Sequence, residues 1–341
     1  MTEPSTIERV IGKAKRKLAR GLGVDAPVEV STPLEPHESE RNGRRYKLFF
    51  MTGFPRSGTN WCGAVLNRHP KIHISGEYHF EMLANGFRDL WKNPWQMAAA
   101  PQYKGVAEEA MRESIRRILV EGAHARPEAE WIGDRTPRWF DVLLPGAPHM
   151  MMLRDPRDIL VSFLHHDLSK GGFLLRLTAV RKELEALRER FLADENLFKN
   201  EPQLLMANET YVRAALQQMK FFAERGVEAI EQDRKGELGA PLLLVRYEAL
   251  HDNTEAERGR MYEFLGLDPA EATPLDEQSY SKPGLKEDTP TGMFRGGRVG
   301  DWRTYFTEDA RRWFEDEIGE LSRALGYPLE DWELSHTTTA G

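Results

Sequence analysis

The chain has 341 residues, of which 40% are hydrophobic and 30% charged, a composition typical of a globular protein with a sizeable core. Its 47 Lys and Arg against 54 Asp and Glu give a net charge of −7, which argues against a global attraction for nucleic acid or an anionic membrane. The single cysteine, Cys62, excludes an intrachain disulfide and a multi-cysteine zinc site. No membrane span or signal peptide is visible in the sequence, so a cytoplasmic location is expected. The net negative charge leads us to expect no nucleic-acid partner.

Residues 1–45 are predicted to form an N-terminal arm, because prolines and polar residues interrupt any continuous pattern there. Within it, apolar residues between Ile7 and Leu18 recur at helical spacing, and the opposite face is basic. We predict a solvated or docked helix. An interfacial helix with weak membrane contact is the alternative.

From Tyr46 onward, short apolar runs alternate with helical periodicity. The runs at 46–52, 149–154 and 242–246 are typical of buried strands, each followed by a helix. This order predicts an α/β fold with a central parallel sheet flanked by helices, as one domain over 46–330 followed by a tail at 331–341. Residues 174–231 are predicted to be a helical insert or lid, and a last helix is expected near 308–325.

A glycine-containing loop follows the first predicted strand. Gly53 and Gly58 have the G-x-x-x-x-G spacing of a nucleotide-triphosphate loop, in which backbone N–H groups and a helix N-terminus hold an anion. Thr59 and Asn60 stand where that loop needs Lys and Ser or Thr, and a cation is present inside the loop as Arg56. An ordinary magnesium–ATP or –GTP site is therefore disfavoured. A turn without a ligand is the alternative.

A second anion signal follows the strand predicted at 149–154. Asp155 and Pro156 are typical of the N-cap and first turn of a helix, which places Arg154 at the carboxyl end of a strand, where open α/β sheets bind ligands. Ser162 lies about two helical turns farther along and can join Arg154 on one phosphate. A capped helix without a ligand is the alternative.

A third signal lies ahead of the last predicted helix. Residues 294–302 contain three glycines and two arginines. Glycines let backbone N–H groups approach an anion, and arginine offers a bidentate fork to phosphate oxygens; a plain flexible loop is the alternative. A nucleotide with two separate phosphate groups would explain all three signals together.

The three segments resemble the motifs of the 3′-phosphoadenosine-5′-phosphosulfate (PAPS)-dependent sulfotransferases. The family's first loop reads P-[KR]-S-G-T-x-W, which residues 55–61 match throughout. Its second motif, R-x-x-[KR]-D-x-x-V-S, is matched by Arg154, Arg157, Asp158, Val161 and Ser162. Its third, R-x-G-x-x-G-D-W, is matched by Arg295, Gly297, Gly300, Asp301 and Trp302. The resemblance covers roughly 46–327 and implies the P-loop-like sulfotransferase fold and an enzyme that uses PAPS, releases adenosine 3′,5′-bisphosphate (PAP) and needs no metal.

The resemblance also implies roles for individual residues. The 5′-phosphosulfate would be held by Arg56 and the amides of Ser57, Gly58, Thr59 and Asn60. The 3′-phosphate would be held by Arg154, Ser162, Arg295, Gly296 and Gly297. Trp61 would stack on the adenine, and Tyr247 would contact it.

The catalytic base departs from the cytosolic branch of that family, which uses a histidine in K-T-H. Here the corresponding stretch is Arg135-Thr136-Pro137. It resembles the K-[ST]-P segment of the tyrosylprotein and carbohydrate sulfotransferases, in which a glutamate is the catalytic base. By that likeness Glu77 is the base and Arg135 assists the bridging oxygen, while His79, His165 and His166 are lesser candidates. The alternative for Glu77 is a carboxylate that stabilises a helix N-terminus.

The acceptor is poorly specified by sequence. Aromatic residues near the expected base can line an apolar pocket, although aromatics at helical spacing are mostly core: Tyr78, Phe80, Phe87, Trp91, Trp95 and Trp139. A hydroxyl-bearing small molecule, a carbohydrate and a phenol all stay open, as does homo-oligomerisation. The rivals to a sulfotransferase are a P-loop kinase acting on a nucleotide or small molecule, and a non-catalytic binding protein of the same fold.

Overall fold

The structure is a computed structural model that describes residues 35–92, 103–275, 297–330 and 332. The chain divides into two compact units, Met1–Glu35 and Pro36–Gly341, and the description below concerns the second. Its strands are β1 Glu38–Arg41, β2 Arg44–Gly53, β3 Ile72–Gly76, β4 Trp131–Arg135, β5 His149–Leu153 and β6 Leu242–Arg246. Its longer helices are α1 Thr59–Leu66, α2 Phe80–Lys92, α3 Tyr103–Glu121, α4 Pro156–Lys170, α5 Thr178–Ala193, α7 Glu209–Lys235, α9 Thr254–Phe264 and α11 Glu308–Ala324. Its short helices are α6 Leu197–Asn200, α8 Tyr247–Asp252 and α10 Trp302–Tyr305.

Five parallel strands form the core of the sheet in the order β3-β4-β2-β5-β6, and β1 pairs antiparallel with the start of β2. Parallel neighbours require a crossover between them, which explains why helices separate most strands along the chain. From β2 the chain first builds one side of the sheet with β3 and β4, and then crosses to the other side to add β5 and β6. Ligands bind at such a switch point in open α/β sheets.

Both faces of the sheet are buried, which fits the near-continuous apolar run in β2. Phe50 and neighbours on one face pack with residues of α2 and α3. Phe49 and Met51 on the other face pack with residues of α1 and α9. The site-forming loops therefore project from a scaffold that is packed on both sides.

Residues 174–231 contain α5, α6 and most of α7, with short 3₁₀ turns between them. Leu184, Leu187 and Phe191 are buried together with residues of α4, α7 and α11 in one cluster. This helical layer is part of the hydrophobic core. Its action as a lid stays a prediction.

The predicted strands at 149–154 and 242–246 and the helix near 308–325 match β5, β6 and α11 to within a residue. The sheet begins earlier than predicted, because β1 and the start of β2 lie inside the stretch assigned to the arm. Strands β3 and β4 were not predicted, because glycine and polar residues interrupt their apolar runs, IHISG and WIGDR, whereas β5 and β6, of the same length, are almost wholly apolar. The predicted N-terminal helix and the tail after residue 332 lie outside the described residues. In the part of the chain that is described, no helix has the length and hydropathy needed to cross a bilayer.

Candidate functional site

The loop between β2 and α1 is built around two glycines. A Cβ at Gly53 would lie 2.7 Å from Ser57 Oγ and 2.8 Å from the Met152 carbonyl oxygen. Gly58 has a φ of +106° and is the N-cap of α1, a conformation that glycine adopts at little cost. Arg56 also has a positive φ, +80°, which is uncommon for a residue with a Cβ. The loop is therefore a tight, specific turn.

The amides after this turn point out of the N-terminus of α1. The first N–H groups of a helix have no partner within the helix, so those of Thr59 and Asn60 are available to an anion. The Ser57 amide, expected among the anion-holding groups, instead donates to the Phe54 carbonyl at 3.0 Å. The Ser57 hydroxyl is buried and has no hydrogen-bond partner in the described chain.

Arg154 connects the three motif segments. It follows β5 directly, and its guanidinium donates to the Arg56 carbonyl at 3.1 Å and to the Arg298 carbonyl at 3.0 Å. The same group lies over the Tyr247 ring, 4.3 Å from its centroid. Arg154 is 8% exposed, and its Nε has no partner among the described residues. One guanidinium thus joins the first loop, the C-terminal loop and the segment after β6.

Ser162, on α4, lies beside the first loop. Its hydroxyl accepts from Arg56 Nε at 3.2 Å. The sequence assigned these two residues to different phosphates, whereas the structure brings them into direct contact.

Asp158 holds the C-terminal glycine-rich loop against α4. Its carboxylate accepts from the Gly300 amide at 2.8 Å and from the Trp302 amide at 3.0 Å. Burial raises the pKa of Asp158 to about 6, although Arg154 and the two amides act in the opposite direction. The carboxylate is therefore ionised at neutral pH and can hold both amides.

Trp61 and Tyr247 lie together beside Gly58. Their rings meet edge to face at 5.5 Å, and a Cβ at Gly58 would approach the Tyr247 ring to 2.5 Å. The Tyr247 hydroxyl donates to the Gly297 carbonyl at 2.6 Å. Both aromatic rings are buried, so this wall of the site is preformed. Arg295 and Gly296 lie outside the described residues.

Glu77 and Arg135 meet at the ends of β3 and β4. Arg135 Nη1 lies 3.9 Å from Glu77 Oε1. The Arg135 side chain lies over Gly63 of α1, where a Cβ would come within 2.4 Å of its Cδ. Gly63 therefore makes room for Arg135 against α1, a requirement that sequence reasoning did not find.

Of the histidine candidates, His79 alone contacts Glu77 in the described chain, at 3.9 Å between Nε2 and Oε2. His165 is buried and packs against Phe191 and Phe198 in the helical layer. His166, also on α4, has its pKa lowered to about 4 by burial and by the charge of Arg56. His166 is therefore neutral at physiological pH.

A cavity of about 60 Å³ opens beside the first loop on the α7 and α11 side of the sheet. Phe54, Trp139 and Phe222 line it together with Arg154 and Thr52. Among the aromatics expected near the acceptor, Trp139 lies here, whereas Phe80, the first residue of α2, is buried in the core. Trp95 lies outside the described residues, and the side chain of Trp91 is not described.

No group of three or more His, Cys, Asp or Glu that could hold a metal ion occurs in the described residues.

The fold and the loop define an α/β protein with a tight glycine-containing turn and a helix N-terminus at the carboxyl edge of a parallel sheet. A model of the sulfotransferase domain matches residues 141–326, more than half of the chain, and a second sulfotransferase family model matches residues 49–199. The chain belongs to the sulfotransferase family, as its motifs predicted.

The curated relatives that match include protein-tyrosine sulfotransferases of several animals. Protein-tyrosine sulfotransferase 2 of Gallus gallus is 22% identical over 198 residues, covering 54% of this chain and 52% of the relative. Protein-tyrosine sulfotransferase 1 of Danio rerio is 24% identical over 184 residues, covering 50% and 52%. This chain thus spans about half the length of the curated relatives it matches.

Two solved structures are also similar. Mouse sulfotransferase SULT7A1 complexed with PAP is 16% identical with a TM-score of 0.41, covering 84% of this chain and 94% of that one. The sulfotransferase domain of the Synechococcus PCC 7002 olefin synthase is 14% identical with a TM-score of 0.41, covering 83% and 96%.

The expected cytoplasmic location is wrong. Protein-tyrosine sulfotransferases, the relatives that this chain matches, are Golgi membrane enzymes. Composition, one cysteine and the lack of a visible span are too general to assign a compartment.

Proposed function

We propose that this protein transfers the sulfuryl group of PAPS to an acceptor hydroxyl and releases PAP and a sulfate ester. The observation that carries the proposal is the position of Arg154, whose guanidinium joins all three motif segments at one edge of the sheet. A turn without a ligand does not need a buried arginine at this junction.

The groups present fit such a nucleotide. The amides of Gly58, Thr59 and Asn60 lie at a helix N-terminus, which favours a negative phosphosulfate. The buried Ser57 hydroxyl and Arg154 Nε have no partner in the described chain, and a buried polar atom of this kind is stabilised when a ligand bonds to it. We assign the 5′-phosphosulfate to this loop with Arg56, and the 3′-phosphate to Arg154, Ser162 and the segment around Gly297, where Arg295 and Gly296 would contribute.

We assign the role of base to Glu77. PAPS supplies the sulfuryl group; the acceptor oxygen bonds to sulfur, the bond from sulfur to the phosphate oxygen breaks, and Glu77 takes the proton of the hydroxyl. Arg56 and Arg135 offset the charge that appears on the departing phosphate. Arg135 is suited to this role because Gly63 lets it lie against α1, beside the amides that face the anion.

The acceptor is proposed to carry an apolar or aromatic group beside its hydroxyl. The cavity next to the first loop is lined by Phe54, Trp139 and Phe222, and such walls bind apolar groups. The names of the relatives make tyrosine-containing peptides the first acceptors to test, followed by phenols, simple alcohols and sugars.

The test measures PAP release from PAPS across that acceptor panel, without magnesium and with the Glu77→Gln variant in parallel. Loss of the base should lower turnover by about 10²–10⁴-fold, while the midpoint shift produced by PAP in thermal unfolding stays unchanged. Glu109→Gln, an exposed carboxylate on α3, is the matched control. Strict dependence on magnesium would favour the kinase alternative. Binding of PAP without turnover of any acceptor would favour the non-catalytic one.

A further inference from the structure

The imidazole of His79 lies between two carboxylates. Its Nδ1 is 2.9 Å from Glu81 Oε1, and its Nε2 is 3.9 Å from Glu77 Oε2. An ionised carboxylate only accepts hydrogen bonds, so Nδ1 carries the hydrogen and donates to Glu81. The lone pair of Nε2 consequently faces Glu77.

The backbone of His79 is held in an uncommon conformation. Its φ is +53°, in the left-handed region where residues with a Cβ are rare. The His79 amide donates to Thr136 Oγ1 at 3.2 Å, and that hydroxyl donates to Asp134 Oδ1 at 2.7 Å. The end of β4 therefore fixes the backbone from which the ring extends, and Glu81 orients the ring itself.

We propose that His79 is a proton relay that clears the proton from Glu77 after each transfer, with Glu81 as its positioning residue; this inference rests on the proposed function. Glu77 takes the acceptor's proton, and the carboxylic acid then gives it to His79 Nε2. The distance of 3.9 Å closes through a side-chain rotation or one bridging water. The imidazolium loses the proton to solvent, since the side chain is 47% exposed, and Glu77 is a carboxylate again.

The groups around the ring orient this transfer. Glu81 Oε1 accepts from Nδ1 on one side, and Arg135 contacts the Glu77 oxygen that does not face His79. Glu81 is 7% exposed, and its Oε2 has no partner in the described chain. Buried Asp134 and Arg138 both interact electrostatically with Glu81 and oppose each other in sign. The Nδ1–H of His79 therefore gives this buried carboxylate a hydrogen bond on one of its two oxygens.

The first experiment measures turnover with the best acceptor of the panel. His79→Asn suits the position because asparagine tolerates a positive φ. We expect turnover to fall about 10- to 100-fold, less than for loss of the base, with unchanged PAP binding. His79→Gly also tolerates this backbone and leaves space for a ring, so millimolar imidazole should restore its turnover. His124→Asn, an exposed histidine in the 3₁₀ turn that follows α3, is the control. Turnover of His79→Asn equal to wild type, or no rescue of His79→Gly, would overturn the relay.

The second experiment tests the positioning role of Glu81. Glu81→Gln should lower turnover on its own and should change it less than about twofold in a chain that already carries His79→Asn, since residues that act through one group are not additive. Full additivity would mean that Glu81 acts without His79 and would overturn its assignment.

A third measurement needs no acceptor. Nitrogen-15 NMR of histidine-labelled protein, with His79 assigned from the spectrum of His79→Asn, should show the Nδ1–H tautomer at pH 8, and Glu81→Gln should weaken that preference. An Nε2–H tautomer would refute the relay even if no acceptor is found. Failure of the proposed function looks different, because then the wild-type protein releases no PAP from PAPS while the tautomer is as expected.

Discussion

Replacement of Arg154 by alanine removes the side chain that joins the three motif segments. Two hydrogen bonds from a charged donor are lost, to the Arg56 and Arg298 carbonyls, each worth about 1.5–3 kcal/mol. The contact with the Tyr247 ring at 4.3 Å adds about 0.5–2 kcal/mol. Water entering the adjoining cavity restores part of this loss by solvating the two carbonyls. We therefore expect the free energy of unfolding to fall by about 2–4 kcal/mol.

Urea unfolding followed by tryptophan fluorescence measures this difference in the absence of nucleotide. Arg154→Lys keeps a charge but lacks the planar fork, so an intermediate loss is expected. The control is Arg225→Ala, which removes an exposed pair with Glu228 and should cost less than about 1 kcal/mol. Titration with PAP then measures the contribution of Arg154 to nucleotide binding. We expect the affinity of Arg154→Ala for PAP to be about 10- to 150-fold lower than that of wild type, with little change in the affinity for AMP. A stability equal to that of the Arg225→Ala control would refute the joining role of Arg154.

Three further predictions concern buried groups. Asp158→Asn leaves one of the Gly300 and Trp302 amides facing an NH₂ group, so urea unfolding should show a loss of about 1–3 kcal/mol in the free energy of unfolding. An unchanged unfolding midpoint would contradict the view that Asp158 holds the C-terminal loop against α4. Burial, with the nearby charge of Arg138, lowers the pKa of His149 to about 3, so the unfolded chain takes up this proton first and stability is lost as pH falls from about 6.5 toward 3. His149→Phe keeps a ring packed on Phe50. Relative to wild type, its free energy of unfolding should rise by about 1–3 kcal/mol as the pH is lowered from 7 to 4. A difference from wild type that does not change with pH would exclude His149 as the cause. Burial raises the pKa of Cys62 to about 12, so a thiol reagent such as DTNB should label it only at the rate of unfolding, and fast labelling at pH 8 would contradict its burial.

The sequence by itself determined the α/β class, the family and the loops that form the site. These features are local: Gly53 and Gly58 are required by the turn that they form, and the arginine and glycine motifs lie in short stretches of fixed spacing. β5, β6 and α11 were also predictable, because a buried strand or an amphipathic helix has a periodicity that can be read without its neighbours.

The tertiary structure decided what those loops touch. β3 and β4 contain polar residues and depend on parallel pairing between strands that are distant in sequence, whereas β1 forms an antiparallel pair with β2 across the turn at Asn42 and Gly43. The contacts of Arg154 with Arg56 and Arg298 join positions 98 and 144 residues apart, and the space that Gly63 leaves for Arg135 is visible only after α1 packs on the sheet. The Glu81–His79 pair is close in sequence, yet the His79 backbone is held by Thr136 at the end of β4. Spacing along a chain determines local turns, whereas the direction of a side chain at a site depends on the packing of segments that meet only in the folded protein.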